Sequence, residues 1–401
     1  MPKPIPCAAA GSGLSIRAAQ PASIARIRVP SHPLAGVRLT HMGDSGGAGR
    51  VAYLDGLRTV AIVAVLGVHW GRAFFGTVQG GYVGVDVFFV LSGFIVTTII
   101  WKKRETRSYS QFIRGRVRRL YPALVGVVAA VVGLAFLLPG VSAPDAAVSG
   151  ALALSQANSV LLGLGIYHPV SLGITWSLSA EWIFYLIWPV LLLSGQRFGA
   201  RALAIVALAA AIALYVGSLW GSGDWFYFGP VARGGQMMAG AWLALAIVTW
   251  KPGVRIGQAF RLLGPACLIA VLWWVFYGAL ESADIYRLVG FPLVTAATLG
   301  LIVSGLAAPS SGMIELLSAR WIAALGRGSY SIYLWHTVPI AMIAGVGATW
   351  SMEWKWAFLI GVTAGTSWLS YRFLEKPYLK RQSLLATTPG HARSTVMARL
   401  G

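Results

Sequence analysis

Charged residues are scarce in this sequence, and acidic residues are the scarcest of them. Of 401 residues, only 11% are Asp, Glu, Lys or Arg, whereas 57% are hydrophobic. Soluble globular domains carry about 25% charged residues. The composition therefore excludes an ordinary soluble domain. It indicates an all-α polytopic membrane protein, a transmembrane helical bundle, because a helix satisfies its own backbone hydrogen bonds inside a bilayer.

Cysteine is almost absent as well. Cys7 lies in a polar stretch and Cys267 in an apolar run, which is a poor arrangement for a disulfide. No metal-ligand spacing occurs, so no metal site is expected. A G-x-S-x-G string surrounds Ser45. Its flanks are polar and irregular, whereas a nucleophile elbow needs a strand before it and a helix after it. Ser45 is therefore not expected to be catalytic.

Positive charge is in large excess, with 32 Lys and Arg against 12 Asp and Glu and a formal net charge of +20. The basic residues lie mainly in short loops between apolar runs, where they fix the orientation of a membrane protein. Some of them can also hold an anionic substrate or lipid headgroups. This distribution does not favour nucleic-acid binding.

The two ends of the chain differ from the rest. Residues 1–52 are rich in Gly, Ala, Pro, Ser and Arg and lack periodicity, which predicts a disordered tail. Met42 is a possible alternative start. Residues 382–401 are expected to form a short basic cytoplasmic tail, which leaves 53–381 as the transmembrane domain.

About ten apolar runs have the length of about 20 residues that crosses a bilayer. A weaker candidate lies at 147–164. If it is left out, most loop cations fall on one side, and the segments on the other side contain no Lys or Arg. The positive-inside rule then places both termini in the cytoplasm. The predicted spans are 57–76, 83–101, 120–139, 177–194, 200–219, 229–249, 261–280, 287–307, 329–349 and 354–373.

The stretch Asp55–His69, which opens the first apolar run, contains two candidate functional residues. Arg58 and His69 are eleven residues apart and share a helix face, roughly 16 Å apart along the axis. Ionisable residues inside membrane helices are expensive and suggest function. His69 is the best candidate general base, because imidazole exchanges protons near neutral pH. The alternative is that Arg58 lies at the interface and His69 only bridges helices.

A basic segment between the second and third spans contains Arg116 and Arg119. They would share a face if this segment is helical, and arginine forks bind phosphate groups bidentately. The segment is thus a candidate site for a polyanion, although orientation alone would also require such charges.

Four further charged residues are expected toward the outer side: Arg72, Asp86, Glu181 and Arg233. Of these, Glu181 could orient His69 if the fold brings the two residues together. If these residues are only structural, the expected ion pairs are Asp86 with Arg72 and Glu181 with Arg233.

Six segments, taken in order, are similar to one known family. The chain resembles the acyltransferase family 3 membrane proteins, which O-acylate sugars, polysaccharides, peptidoglycan and some natural products. The segments cover nearly everything after the tail, and the family implies ten core spans. They are YLDGLRTVAIVAVLGVHW, GYVGVDVFFVLSGFIVTTII, FIRGRVRRLYPAL, TWSLSAEWIFYLIWPVLL, LGRGSYSIYLWHTVPI and FLEKPYLKR.

The resemblance implies roles for individual residues. Its Arg-x10-His motif matches Arg58 and His69, and His69 is the implied catalytic residue. Its Arg-x-x-Arg motif, Arg116 and Arg119, implies a site for acyl-CoA. Its Ser-x-x-x-Glu motif matches Ser177 and Glu181; many members have a second acid next, where this chain has Trp182. Residues expected to support the acceptor side are Asp86, Ser177, Arg233, Tyr333 and His336.

The resemblance predicts an integral O-acyltransferase of the bacterial inner membrane. It would move an acyl group, expected to be acetyl, from acyl-CoA to a hydroxyl of a carbohydrate or glycosylated small molecule. His69 would either deprotonate the acceptor or carry the acyl group. No fused transfer domain is recognised, so the membrane core acylates its acceptor directly or works with a separate transfer partner. The alternative is a transporter or exporter of a glycan or small molecule, which would not need to bind coenzyme A.

The topology makes a direct prediction for the loop after the fourth span. A reporter fused at Gly195 should be active only as a cytoplasmic reporter, because basic residues are retained on that side. A fusion within 220–228 should give the opposite readout. A periplasmic signal from the Gly195 fusion would contradict the proposed orientation.

Overall fold

The computed structural model describes residues 52–74, 78–106, 108–137, 142–167, 172–249, 254–281 and 283–378. These ranges are helical and contain no β-strand. The predicted tails, 1–52 apart from its last residue and 382–401, lie outside them. In chain order, the α-helices are α1 Ala52–Phe74, α2 Val83–Lys102, α3 Tyr109–Ala135, α4 Ala143–Ser155, α5 Asn158–Gly163, α6 Trp176–Ser194, α7 Gly199–Ser218, α8 Gly223–Phe228, α9 Pro230–Thr249, α10 Val254–Tyr277, α11 Phe291–Ala307, α12 Gly312–Leu317, α13 Arg320–Arg327, α14 Ser329–Trp335, α15 Val338–Val346 and α16 Met352–Ser370.

Within the described ranges, eight helical segments are long and apolar enough to cross a membrane. They coincide with the first eight predicted spans, which confirms an all-helical fold with membrane-spanning helices. The weak candidate at 147–164 contains α4, of 13 residues, and α5, of 6 residues. Both are shorter than the roughly 20 residues that a crossing needs. The eight segments are Ala52–Arg72, Gly80–Lys102, Tyr109–Ala135, Gly173–Ser194, Gln196–Ser218, Gly223–Thr249, Gln258–Tyr277 and Tyr286–Ala307.

The ninth predicted span, 329–349, is not one continuous helix. It is divided into α14 and α15, with His336 and Thr337 between them. Pro339 explains the break, because proline has no N–H and its ring clashes with the carbonyl four residues earlier. The carbonyl of His336 accepts a hydrogen bond from the indole N–H of Trp70, at 3.2 Å. The break therefore places a histidine and a backbone carbonyl that accepts from a side chain inside the bundle.

α2 lies at the centre of the bundle. In its most apolar stretch 78% of the residues are buried, against 28% for α7 and 22% for α10. α2 packs against α1, α6, α9 and α11, whereas α7 and α10 lie at the periphery. Large apolar side chains on α7 and α10 remain exposed, as expected for surfaces that face lipid.

Two glycines allow α2 and α9 to pack at close range. A Cβ atom on Gly93 would lie 1.9 Å from the carbonyl oxygen of Met237, and one on Gly240 would lie 2.1 Å from that of Val90. Small residues permit such backbone approach between membrane helices. The reciprocal arrangement fixes the distance between the two helices.

This contact predicts that Gly93→Ala destabilises the protein. The added methyl group meets backbone atoms, and overpacking of this kind costs about 1–3 kcal/mol. Gly361→Ala on α16 is the matched control, because no atom of a neighbouring residue lies within 4 Å of the place its methyl group would take. The control should be neutral or slightly stabilising, since alanine is the better helix former. Thermal unfolding in detergent measures both variants, and equal unfolding temperatures would contradict the packing argument.

Candidate active site

The arginine-rich segment belongs to α3, which begins at Tyr109 rather than at the predicted residue 120. Ser108 caps this helix in a capping box with Gln111, so two of the free N–H groups at its start are satisfied. The segment is therefore helical, as the arginine spacing required. Arg116 and Arg119 are partly buried on one face, while other arginines of the segment are exposed.

A cavity of about 100 Å³ lies between α1, α2, α3, α6 and α14. Residues from 85 to 96 of α2 form much of its wall, and most of them are apolar. The fold thus gathers residues from four other helices around one space. Six of the ten predicted site residues line it, namely Arg58, Arg116, Arg119, Ser177, Glu181 and Tyr333.

Three arginines line the cavity and differ in their contacts. Nε of Arg58 donates to Oγ of Ser329 at 3.1 Å. The guanidinium of Arg116 lies 4.7 Å from the ring centre of Tyr185. Nε of Arg119 is buried and has no hydrogen-bond partner among the described residues. A buried donor without a partner is costly, so this wall of the cavity is suited to an anionic ligand.

Glu181 faces the same cavity. Its Oε1 accepts hydrogen bonds from the hydroxyl groups of Ser92 and Tyr185. Tyr185 is four residues further along α6 and shares a face with Glu181, so sequence spacing could have identified it. Ser92 comes from α2 and carried no such signal. The structure does not place Glu181 in hydrogen-bond contact with His69.

His69 is paired with His336. Nδ1 of His69 lies 2.9 Å from the carbonyl oxygen of Val65 and 3.3 Å from Nε2 of His336. His336 is fully buried, and its Nδ1 lies 2.7 Å from the carbonyl oxygen of Tyr333. The two imidazole rings are 4.8 Å apart in an edge-to-face arrangement. His69 therefore faces a buried imidazole.

Tyr333 separates the cavity from this histidine pair. Its hydroxyl group donates to the carbonyl of Ile174 at 2.7 Å and lies 2.6 Å from Oγ of Ser177. Its side chain lines the cavity, while its carbonyl contacts His336. Neither histidine lines the cavity. The cavity and the histidine pair are thus neighbours across a single residue.

Asp86 and Arg233 form a fully buried ion pair between α2 and α9, with Nη1 and Oδ1 2.6 Å apart. The hydroxyl of Tyr286 donates to Asp86 Oδ2 at 2.9 Å, and Arg233 Nε donates to the Tyr227 carbonyl at 2.8 Å. The Arg233 guanidinium also lies 5.5 Å from the ring centre of Trp176. Neither charged residue lines the cavity.

The ion pairs expected from a purely structural reading, Asp86–Arg72 and Glu181–Arg233, were wrong. Arg72 instead forms two hydrogen bonds with Glu281, at 2.7 and 2.5 Å. Burial alone would raise the pKa of Glu281, but the hydrogen bonds from Arg72 hold this pKa below its usual value. These partners are 209 residues apart, so sequence spacing carried no signal for them.

Comparison with known proteins identifies the family. A family model described as an acyltransferase domain matches residues 51–372. The chain belongs to the acyltransferase 3 family. This match confirms the resemblance seen in the motifs, and it spans all the helices that surround the cavity and the histidine pair.

Curated relatives of this acyltransferase 3 protein come from bacteria. It is 30% identical over 354 residues to the peptidoglycan O-acetyltransferase OatA of Listeria monocytogenes, covering 82% of this chain and 56% of the relative. It is 27% identical over 347 residues to the putative peptidoglycan O-acetyltransferase YrhL of Bacillus subtilis, covering 81% and 54%. A putative O-acetyltransferase of Staphylococcus aureus is 27% identical over 350 residues, covering 82% and 57%. The chain thus spans little more than half the length of these relatives. No solved structure matches it.

The buried ion pair predicts a large difference between two carboxylate substitutions. Asp86→Ala leaves the Arg233 charge buried and unpaired, which costs about 3–5 kcal/mol. Glu105→Ala is the matched control, because Glu105 pairs with Arg104 while 79% exposed, and such pairs contribute about 0–1 kcal/mol. Folded yield and thermal unfolding in detergent measure both. A similar loss of folded yield and thermal stability in the two variants would contradict the conclusion that the buried Asp86–Arg233 pair stabilises the bundle.

Proposed function

We propose that this protein is an integral-membrane O-acyltransferase that transfers an acetyl group from acetyl-CoA to a hydroxyl of a carbohydrate-containing acceptor. One observation carries the proposal: one cavity is lined by Arg58, Arg116, Arg119 and Glu181, and also by Tyr333, whose carbonyl contacts His336 of the histidine pair. Three cations in the lining and a candidate base close to it suit a long donor with an anionic head and a reactive tail.

The arginines are the proposed site for the phosphates of acyl-CoA. Guanidinium groups remain charged and bind phosphate through two parallel hydrogen bonds. The unpartnered Nε of Arg119 supplies a donor that the described part of the protein leaves unused. Both hydroxyl contacts to Glu181 use Oε1, and its Oε2 receives none from Ser92 or Tyr185. Oε2 is therefore available to accept an amide N–H of the donor's pantetheine arm.

His69 is the proposed catalytic base. It accepts the proton of the acceptor hydroxyl as the hydroxyl oxygen forms a bond to the thioester carbonyl carbon. The carbon–sulfur bond then breaks and coenzyme A leaves as the thiolate. The proton on His69 passes to this thiolate. Because Tyr333 lines the cavity and neither histidine does, this reaction requires the Tyr333 side chain to move away from Ser177 so that the thioester reaches His69.

The proposed topology has ten crossings with both termini in the cytoplasm. Eight crossings are the long apolar helices, the ninth is the broken pair α14 and α15, and the tenth is α16, of 19 residues. The distribution of basic residues supports this orientation. It turns the arginine end of the cavity toward the cytoplasm. The bacterial relatives support a location in the bacterial cytoplasmic membrane.

The acceptor class is proposed from the relatives. Two of them are named as established or putative peptidoglycan O-acetyltransferases, which supports a carbohydrate hydroxyl as acceptor. A separate transfer partner remains compatible with this role. The family assignment favours acyl transfer over transport, and binding of acetyl-CoA separates the two functions, because a glycan exporter has no need of it.

The donor site predicts that Arg116→Ala and Arg119→Ala each weaken acetyl-CoA binding by about 10- to 100-fold, the equivalent of one charge-assisted hydrogen bond. Arg118→Ala is the matched control, since Arg118 is exposed on the same helix and does not line the cavity. Calorimetric titration of the purified protein in detergent measures the affinity. Equal affinities for the three variants would contradict the assignment.

The proposed role of His69 as the catalytic base predicts that His69→Ala lowers the rate of acetyl transfer by about 10²- to 10⁴-fold, the range for general acid–base catalysis. Acetyl-CoA binding should persist, because His69 does not line the cavity. Mass spectrometry of cell-envelope glycans and small-molecule metabolites, compared with a deletion strain, measures the loss of acetyl groups. A folded His69→Ala protein that restores full acetylation to the deletion strain would overturn this mechanism.

A further inference from the structure

We propose that His336 is a positioning residue for His69. In this assignment His336 holds His69 in the tautomer that carries its proton on Nδ1, so that Nε2 of His69 is the nitrogen that reacts. The inference rests on the proposed function only where it calls His69 the base. The tautomer itself follows from the hydrogen-bond geometry.

The contact between His336 and Tyr333 fixes which nitrogen of the His336 ring carries a proton. Nδ1 of His336 lies 2.7 Å from the carbonyl oxygen of Tyr333. A carbonyl oxygen can only accept a hydrogen bond, so Nδ1 of His336 must carry the proton. The indole N–H of Trp70 bonds the carbonyl of His336 itself. The Trp70 contact reaches only the backbone of His336, so the position of the ring proton is set by the carbonyl of Tyr333.

The proton position in His336 also determines which nitrogen of His69 is the donor. His336 is fully buried, and burial without a paired carboxylate favours the neutral imidazole. A neutral imidazole with a proton on Nδ1 has a lone pair on Nε2. That Nε2 faces Nδ1 of His69 at 3.3 Å. Nδ1 of His69 must then be the donor in this contact.

Val65, the other neighbour of the His69 ring, requires the same tautomer. The carbonyl oxygen of Val65 lies 2.9 Å from the same Nδ1 and also can only accept. Two acceptors thus share one N–H, and both require the same tautomer. The lone pair of His69 is left on Nε2, to which no described residue forms a hydrogen bond.

This arrangement matches the task of a base. When Nε2 of His69 takes a proton, the ring becomes an imidazolium with an N–H on each nitrogen. Its Nδ1–H already has two acceptors, so the charged ring is stabilised without rearrangement. The orienting group in serine hydrolases is a carboxylate. Here a neutral imidazole fills that position, which avoids placing a further charge in the bundle.

Val65 alone could fix the tautomer, and the experiment must separate its effect from that of His336. His336→Gln keeps an acceptor, Oε1, near the former Nε2, whereas His336→Leu removes it. Trp70→Phe is the matched control, because it removes a hydrogen bond to the backbone of His336 and leaves the ring contact intact. Purified full-length protein in detergent provides kcat and KM for acetyl-CoA.

We expect His336→Leu to lower kcat by about 10- to 100-fold, the equivalent of one hydrogen bond to a charged group. KM for acetyl-CoA should be unchanged, because His336 does not line the cavity. His336→Gln should recover most of kcat, and Trp70→Phe should retain it. Equal losses of kcat in the Gln and Leu variants, or full activity of His336→Leu, would overturn the positioning role.

A spectroscopic measurement tests the tautomer without reference to activity. In ¹⁵N-histidine-labelled protein, assigned with His69→Ala, the Nδ1 of His69 should give a protonated-type resonance and its Nε2 an unprotonated-type resonance. The reverse pattern would overturn the inference. If His69→Ala keeps full transfer activity while the resonances are as expected, the proposed base is wrong, and the tautomer assignment stands.

Discussion

A charge inside a membrane protein is stable only when other polar groups surround it, and this constraint shapes the whole bundle. Arg233 meets it through the paired carboxylate of Asp86 and through neighbouring tyrosines, although its Nη2 has no hydrogen-bond partner among the described residues. Arg119 also has a buried nitrogen without a partner, its Nε, and forms no ion pair within the described part of the chain. The paired carboxylate therefore separates a charge that holds helices together from one that is suited to an anionic ligand.

The polar interior is therefore divided into regions with different tasks. The Asp86–Arg233 pair fastens α2 to α9, and close glycine packing fixes the spacing of the same two helices. The cavity lies on another side of α2, where α1, α3, α6 and α14 contribute its polar groups. α2 is suited to this central position because it is the most buried of the spanning helices. One helix thus serves as the wall of the cavity and as the main support of the bundle.

Much of this arrangement could be predicted from the sequence. Apolar runs located the eight long helices, and 147–164, which loop charges had excluded as a span, contains only the short helices α4 and α5. Motif spacing identified Arg58, Arg116, Arg119 and Glu181, which the fold brings together around one cavity. Helical spacing works for these residues because it fixes which side chains share a face.

The remaining features depend on contacts between distant parts of the chain. The partner of Asp86 is 147 residues away, so the expected pairing with Arg72 rested only on similar depth in the membrane. The contact between His69 and His336 spans 267 residues and had no local signal. The break in the ninth span was readable in part, because proline is favoured in the first turn of a helix, where Pro339 lies, over the helix interior. The contact of His336 with His69, which lies at this break, could be seen only in the folded structure.

α14 is only seven residues long, yet it touches both regions of the site. Tyr333 and His336 are three residues apart, so they are separated by less than one turn of helix. A ligand that displaced the Tyr333 ring would act on the residue whose carbonyl holds the His336 imidazole. Occupation of the cavity and alignment of the two histidines are therefore coupled through a single residue.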